Sequence, residues 1–418
     1  MRVPYTTSKQ VDDALVGLGR TEDLRFSPNK RRLAIAGFGT NKIVVIDIRR
    51  EVSREGEQIS LPSAVEIVSA DLAQPHGVDF IDDDTIVVAN RSGRTTIFEL
   101  PAANGNTRRN LAPIGVIDGE LISSPGSVVL AGKSGAQCQV LICNNASHTV
   151  TKHTADLGAQ GAGHGSVLVR KWLDVPDGIT VSGKGRIAIS NHNLHSVMVY
   201  ESGRQLDENS DPDGVMRGIF FPHGVRFTGD EQFLLVADAG APYVHVYAGD
   251  DGWSGVHDPQ FSLRVISDAD FQSGRHNLQE GGPKGFDIDE DGKLLATTCE
   301  MQPLAFFDLA AILETAARNV ERDRSGQPAG PSGEGRGKSA SQVKYELDLL
   351  QVRNQVRRQA EERANQAERR AAQAEGELAE KRTLISYLLH SKSWQVTAPM
   401  RWVFAGLKRC AAWVTGRA

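Results

Sequence analysis

Apolar and polar residues alternate with a period of two through most of residues 1–308, and one phrase recurs inside that alternation. A Pro or polar residue is followed by a Gly and then by an apolar pair split by a polar residue. It reads Pro75-His76-Gly77-Val78-Asp79-Phe80, Pro176-Asp177-Gly178-Ile179-Thr180-Val181, Pro222-His223-Gly224-Val225-Arg226-Phe227 and Pro283-Lys284-Gly285-Phe286-Asp287-Ile288. Weaker copies are Glu22-Asp23-Leu24-Arg25-Phe26, where Asp23 stands in for the Gly, and Pro125-Gly126-Ser127-Val128-Val129. After each phrase come a short turn, a second apolar run, a polar loop and a third strand. In one copy Val225-Arg226-Phe227 leads through Thr228-Gly229-Asp230-Glu231 to Phe233-Leu234-Leu235-Val236-Ala237-Asp238 and then Val244-His245-Val246-Tyr247. Period-two alternation punctuated by Asp and Gly predicts a β-meander.

Measured between residues 22, 76, 125, 177, 223 and 284, the copies are 54, 49, 52, 46 and 61 residues apart. A four-stranded unit repeated at roughly 40–50 residues is the signature of a propeller. Six phrases predict an all-β six-bladed propeller, with the excess length in loops at 202–216 and 249–260. Residues 309–320 read as a closing helix, so the propeller unit is 1–320. Residues 321–340, with five Gly and two Pro, read as a flexible linker.

From residue 341 the period changes. Leu349, Val352, Val356, Ala360, Ala364, Ala367, Ala371, Ala374, Leu378, Ile385 and Leu388 recur mostly at steps of three and four among Arg, Glu and Gln. Over 341–390 that pattern predicts a coiled coil, which implies self-association or a partner helix; a lone solvated helix is the other reading. Residues 391–418 hold five basic residues and no acidic ones, with Met400, Val403, Phe404, Leu407, Ala411 and Val414 on one helical face and Trp394, Trp402 and Trp413 beside it. Such a short amphipathic helix suits an anionic membrane surface or a protein partner.

Charge sharpens this division. The chain of 418 residues has a net charge of −5, but residues 341–418 carry 14 Lys/Arg against 8 Asp/Glu, leaving −11 on the rest. An acidic globule with a basic tail disfavours nucleic acid as the globule's partner. No run of about 18 apolar residues and no signal-peptide pattern is present, so a cytoplasmic protein is expected, peripheral on the inner membrane if the tail binds there. Cys138 and Cys143 read as core thiols of a reduced compartment; with Cys299 and Cys410 they show no metal-ligand spacing.

In a propeller the inner strand of each blade starts at one mouth of the channel. The residue before each Gly then forms a ring of Glu22, His76, Pro125, Asp177, His223 and Lys284. The second strands run back to the same mouth and end in Asn90, Asn144, Asn191, Asp238 and Glu300, a surrounding polar layer. Two imidazoles and two carboxylates, from Glu22, His76, Asp177 and His223, would hold one divalent ion. Zn²⁺, Mn²⁺ or Fe²⁺ suits that donor set better than Ca²⁺. Lys284, Asn90, Asn191 and Asp238 are candidate substrate-binding residues. The competing reading is that these side chains hydrogen-bond among themselves and to channel water. His192 and His195 read as solvated residues of a rim loop. No phosphate loop, nucleophile elbow or Cys/His finger is present.

The blade phrases over residues 20–308 resemble the gluconolactonase/regucalcin group and the broader NHL-type propellers. That group holds a divalent metal with a Glu, two Asn and an Asp. Glu22 matches the Glu, whereas Pro125, Asp177 and His223 stand at the other three positions. The tail Ser391-Lys392-Ser393-Trp394-Gln395-Val396-Thr397-Ala398-Pro399-Met400-Arg401-Trp402 resembles the ending found after coiled coils in bacterial O-antigen and capsule glycosyltransferases and methyltransferases. Together the resemblances imply a non-catalytic scaffold propeller docked through its coiled coil and tail onto polysaccharide-synthesis proteins. The alternative they imply is a metal-dependent, lactonase-like hydrolase acting on a sugar derivative at the channel mouth.

Overall fold

Each phrase forms the innermost strand of its own sheet, because buried β-branched and aromatic residues on both faces favour a strand packed on both sides. These strands are Thr21–Phe26, Pro75–Asp82, Pro125–Ser134, Pro176–Val181, Pro222–Phe227 and Gly285–Ile288. They pack side by side in chain order, and the last lies against the first, which closes the ring. Outward from each run two further antiparallel strands, as in Phe233–Asp238 and Tyr243–Ala248. The closure also uses the chain start, since Arg2–Val3 pairs with Ala305–Asp308 through Arg2 to Phe307. The structure is a computed structural model and describes all residues except 54–55, 102–107, 158–163, 250–251, 290, 316–339, 391–396, 398, 406 and 409–418.

The expectation of six blades is corrected: among the described residues the propeller has seven sheets. The seventh is three-stranded, built from Tyr5–Thr7, Arg49–Ser53 and Gly56–Leu61. Counting phrases misses it because none of its strands carries one. Its two later strands interrupt the first sheet between Lys42–Asp47 and Ala64–Val68, and a distant parallel strand completes it. Ile59 and Leu61 are buried there with Val11 and Leu15 of a short helix, Lys9–Val16, whose N-terminus Ser8 caps.

Residues 309–315 are helical, and the rest of the expected closing helix and nearly all of the expected linker lie outside the described residues. A long helix spans Ala340–His390. Its first turns belong to the propeller unit, Met1–Gln351. Val343, Leu347 and Leu350, spaced for one helical face, are buried against Leu173, Met198, Tyr200 and Val256. Arg217 Nη1 meets Glu346 Oε2 at 3.4 Å beside them.

The second unit, Val352–Ala418, contains the remainder of that helix. Along it Val352, Val356, Leu378, Leu384, Ile385 and Tyr387 are exposed. The described part of the tail is helical at 397, 399–405 and 407–408, with Met400, Trp402, Val403, Phe404 and Leu407 exposed. Trp394, Ala411, Trp413 and Val414 lie outside the described residues. Among the described residues no helix is long and apolar enough to cross a membrane. Cys138, Cys143 and Cys299 are buried free thiols, and Cys410 is outside the described residues.

Candidate functional site

A β-bulge puts the ring side chains into the channel. In five of the six inner strands the pairing with the second strand slips near the ring residue, as where Pro75 faces Asn90 and Gly77 faces Ala89, skipping His76. A bulged residue is released from the ladder and re-aimed. The slip also corrects one position. Pro125 faces Asn144 as Pro75 faces Asn90, so the third-blade member of the ring is Gly126 rather than Pro125. Gly126 offers no side chain, and a methyl there would overlap Asn145 Oδ1 and lie 2.7 Å from Asp177 Oδ1. Asn145 takes the vacated space and donates from Nδ2 to Asp177 Oδ1 at 2.9 Å.

The other ring residues converge and are almost completely buried. His223 Nε2 lies 3.3 Å from both Glu22 Oε2 and Asp177 Oδ2, and His76 Nε2 lies 3.4 Å from Glu22 Oε2. The two imidazoles stack with centroids 5.1 Å apart. His76 Nδ1 donates to the Gly126 carbonyl at 2.6 Å, which makes Nε2 the acceptor that faces the ring, where Arg91 Nη2 contacts it. One ligand atom each from Glu22, His76 and His223 fall within 4.8 Å of one another, a spacing a single ion could bridge. Among the described residues Glu22 Oε2 and His223 Nε2, though 3.3 Å apart, have no well-aligned hydrogen-bond partner. Buried polar atoms ordinarily have one, so the pair fits an additional occupant.

Protonation is set by burial against neighbouring charge. Burial works against ionising Glu22, but Lys284 and the surrounding imidazoles hold its carboxyl well below the usual carboxylate range. Burial likewise opposes the charge of Asp177, and His223, His76 and Arg91 hold it well below that range. Burial, helped by Arg91, pushes His76 down to about 3. At neutral pH the site therefore offers carboxylates beside a neutral imidazole, the form in which these groups ligate metals.

The phrase did not reveal what closes the mouth. Arg20 pairs with Glu22 through Nε and with Glu280 through Nη2 at 3.0 Å. Arg91 Nη2 lies 3.2 Å from Asp177 Oδ1 and also contacts His76 Nε2. Lys284 Nζ sits 3.1 Å from Glu280 and 3.7 Å from Glu22. His192, expected to be a solvated loop residue, is instead buried, with Nδ1 3.6 Å from Asp177 Oδ2; burial lowers it to about 4 even though Asp177 pulls the other way. His195 stays on the partly exposed rim, its ring against Phe221.

The residues expected in the surrounding layer do a different job. Asn90, Asn144 and Asn191 accept the backbone N–H of Ala73, Ser123 and Asp174 at 3.1, 2.9 and 2.6 Å. Asp238 accepts from Phe220 and Phe221 at 2.8 and 3.0 Å. Each ties down the loop entering its inner strand, which is why the same position recurs in four blades. The residue one further along faces the ring: Arg91, Asn145 and His192. Alternation along the strand was the available signal, read one position early.

Beneath the ring a cavity of about 10 Å³ is lined in part by His76, Asp177, His223, Asp23 and Arg226. That is the space of about one water. Below it the next inward-facing residues form a second charged layer. Arg25 Nε lies 3.4 Å from Asp79, and its Nη1 3.4 Å from Asp287. Arg226 Nε lies 3.3 Å from Asp287, and its Nη2 3.7 Å from Asp23. Burial raises Asp79 and Asp287 against the pull of Arg25, and pushes Asp23 up to about 6.

Asp23 has a testable consequence. Its folded pKa is above the unfolded one, so the folded state holds the extra proton, and the contribution of this group to stability falls as pH rises from about 4 to about 6. Buried His76 and His192 slope the opposite way, so the quantity to measure is a difference. Asp23→Asn should gain stability relative to the parent chain as pH rises across that window, read by urea unfolding at several pH values. A difference that stays constant with pH would refute the assignment.

No known family matches the chain, and no curated protein matches it. The resemblances to the gluconolactonase/NHL group and to the glycosyltransferase tail thus gain no family support. Among solved structures, the holo form of the pyranose dehydrogenase PQQ domain from Coprinopsis cinerea is similar, at 14% identity and a TM-score of 0.47, covering 69% of this chain and 92% of that one. A likeness at that level bears on neither cofactor nor reaction.

Proposed function

We propose that this chain is a non-catalytic binding propeller, a scaffold whose channel mouth takes one divalent transition-metal ion and no larger ligand. The closure of the ring carries this reading. Glu22 is fully buried, His76, Asp177, His223 and Lys284 are nearly so, and the cavity beneath them has the size of one water. A sugar could reach the donors only if Arg20 and Arg91 left their carboxylates. Ion size and donor chemistry agree: a carboxylate and two imidazoles suit Zn²⁺, Mn²⁺ or Fe²⁺.

The ring does not need the ion in order to fold. Glu22, Asp177 and Glu280 face Arg20, Arg91 and Lys284, three charges of each sign. Elemental analysis of the purified full chain should find one transition metal per chain. Chelation should lower the Tm without unfolding the protein, and His223→Ala should lose the metal while remaining folded. If the isolated chain holds no metal and takes up no added Zn²⁺, the ring is a self-contained polar network. If a lactone is hydrolysed well above background and His223→Ala abolishes this, the hydrolase reading replaces the scaffold. Placement in surface-polysaccharide synthesis rests on the tail sequence. Deleting 391–418 should then abolish membrane-fraction association and recovery of polysaccharide-synthesis proteins.

A further inference from the structure

The exposed part of the long helix carries a seam and a charge pattern that together select a partner. Ala364, Ala367, Ala371, Leu378, Lys381 and Ile385 fall at the two core positions of a heptad, and all of them are exposed. About six turns of such a face leave apolar area in water that a matching helix would cover. With this register, Arg370 and Glu377 flank the seam on one side, and Glu375 and Arg382 flank it on the other; these four are exposed as well.

We infer that residues 364–388 pair with the same segment of a second copy of this chain as a parallel, in-register, two-stranded coiled coil. In that arrangement each flanking residue meets the opposite flank of the partner five residues later. Arg370 then faces Glu375 of the second copy, and Glu377 faces its Arg382, attractive at both steps and on both sides of the dimer. The sequence continues the pattern one heptad earlier, with Arg363 and Glu368. The antiparallel alternative centred near Gly376 sets Glu375 against Glu375 and Glu377 against Glu377, which is repulsive. Lys381 on the seam adds a register constraint, because a charged core position is tolerated best where its stem can reach out to solvent. The small Ala residues allow close approach but bury little area, so the flanking charges weigh heavily in choosing the partner. One consequence follows for the tail: both copies of residues 397–408, each exposing Met400, Trp402, Phe404 and Leu407, leave the paired helices at the same end. This inference is independent of whether the propeller binds metal.

Sedimentation of the full chain over a concentration series should show a monomer–dimer equilibrium. Arg370→Glu and Glu375→Arg should each weaken it by about tenfold or more, and the double variant, which exchanges the two charges, should restore it. As a second reading, Leu378→Cys in a Cys410→Ser chain should cross-link symmetrically on mild oxidation, because core positions meet their own counterparts only in a parallel in-register pair. A monomer at all concentrations, a trimer or larger assembly, charge variants that leave the equilibrium unchanged, a double variant that stays weak, or a dimer that does not cross-link at 378 would each overturn the inference.

Discussion

Gly178→Ala is expected to destabilise the propeller by about 3 kcal/mol or more. At Gly178 the inner strands of neighbouring blades meet backbone to backbone. A methyl there would run into the carbonyl oxygen of His223 and lie 2.8 Å from Ser190 Oγ. The carbonyl belongs to a buried strand and cannot turn aside as a flexible side chain would. Relief requires opening the contact between two inner strands, Pro176–Val181 and Pro222–Phe227. Those strands carry Asp177 and His223, so the ring is disturbed together with the packing. Ser190 Oγ, which accepts the Gly178 N–H at 2.6 Å, would be displaced too. A thermal melt should show a fall of roughly 6–12 °C, taking roughly 2–4 °C per kcal/mol for a large domain. Gly132→Ala is the control, because a methyl at Gly132 meets nothing within 4 Å. Equal melting of the two variants would contradict the close approach described for Gly178.

The second large effect is expected at Arg226. This guanidinium is buried between Asp23 and Asp287, and its Nη1 also donates to the Ile179 carbonyl at 3.4 Å. Arg226→Met keeps much of the volume but leaves three buried carboxylates facing Arg25 alone. Removing one partner from a buried ion pair costs about 3–5 kcal/mol, because the remaining charge has no water to return to. The loss should be greater at pH 7 than at pH 5, where raised carboxyls such as Asp23 can take up a proton. Denaturant unfolding of Arg226→Met at both pH values tests this. A penalty that is equal at both, or that grows toward pH 5, would show that the layer is not held by charge.

How much of this site was legible depended on whether the controlling contacts were local. Glu22, His76, Asp177, His223 and Lys284 are marked by a phrase whose strand alternation is a property of neighbouring residues, and the structure brings them together. Pro125 was the exception. Its phrase has the same Pro-to-Asn pairing as those at Pro75 and Pro176, but Ser127 replaces the usual Gly, and aligning on Gly126 shifts the reading by one. Arg20, Arg91, Asn145 and His192 carry no such mark: each is one or two residues from a marked position, and its role comes from a carboxylate brought near by folding, Glu280 for Arg20 and Asp177 for the other three.

The division between chain and fold follows the range of the forces involved. The sequence alone determined a propeller of repeated meanders, a separate helix with its own charge pattern, and the residue types presented at the channel mouth. Periodicity of burial is written within a few residues and needs no partner to be read. Tertiary structure alone decided the seventh sheet, which needs a parallel strand from the chain start, and the docking of Val343, Leu347 and Leu350 on the propeller. It also decided that the ring is closed. Closure depends on ion pairs such as Arg20 with Glu280 and Arg91 with Asp177, between residues 260 and 86 positions apart in the chain. Such pairs exist only once the blades have been drawn into a circle.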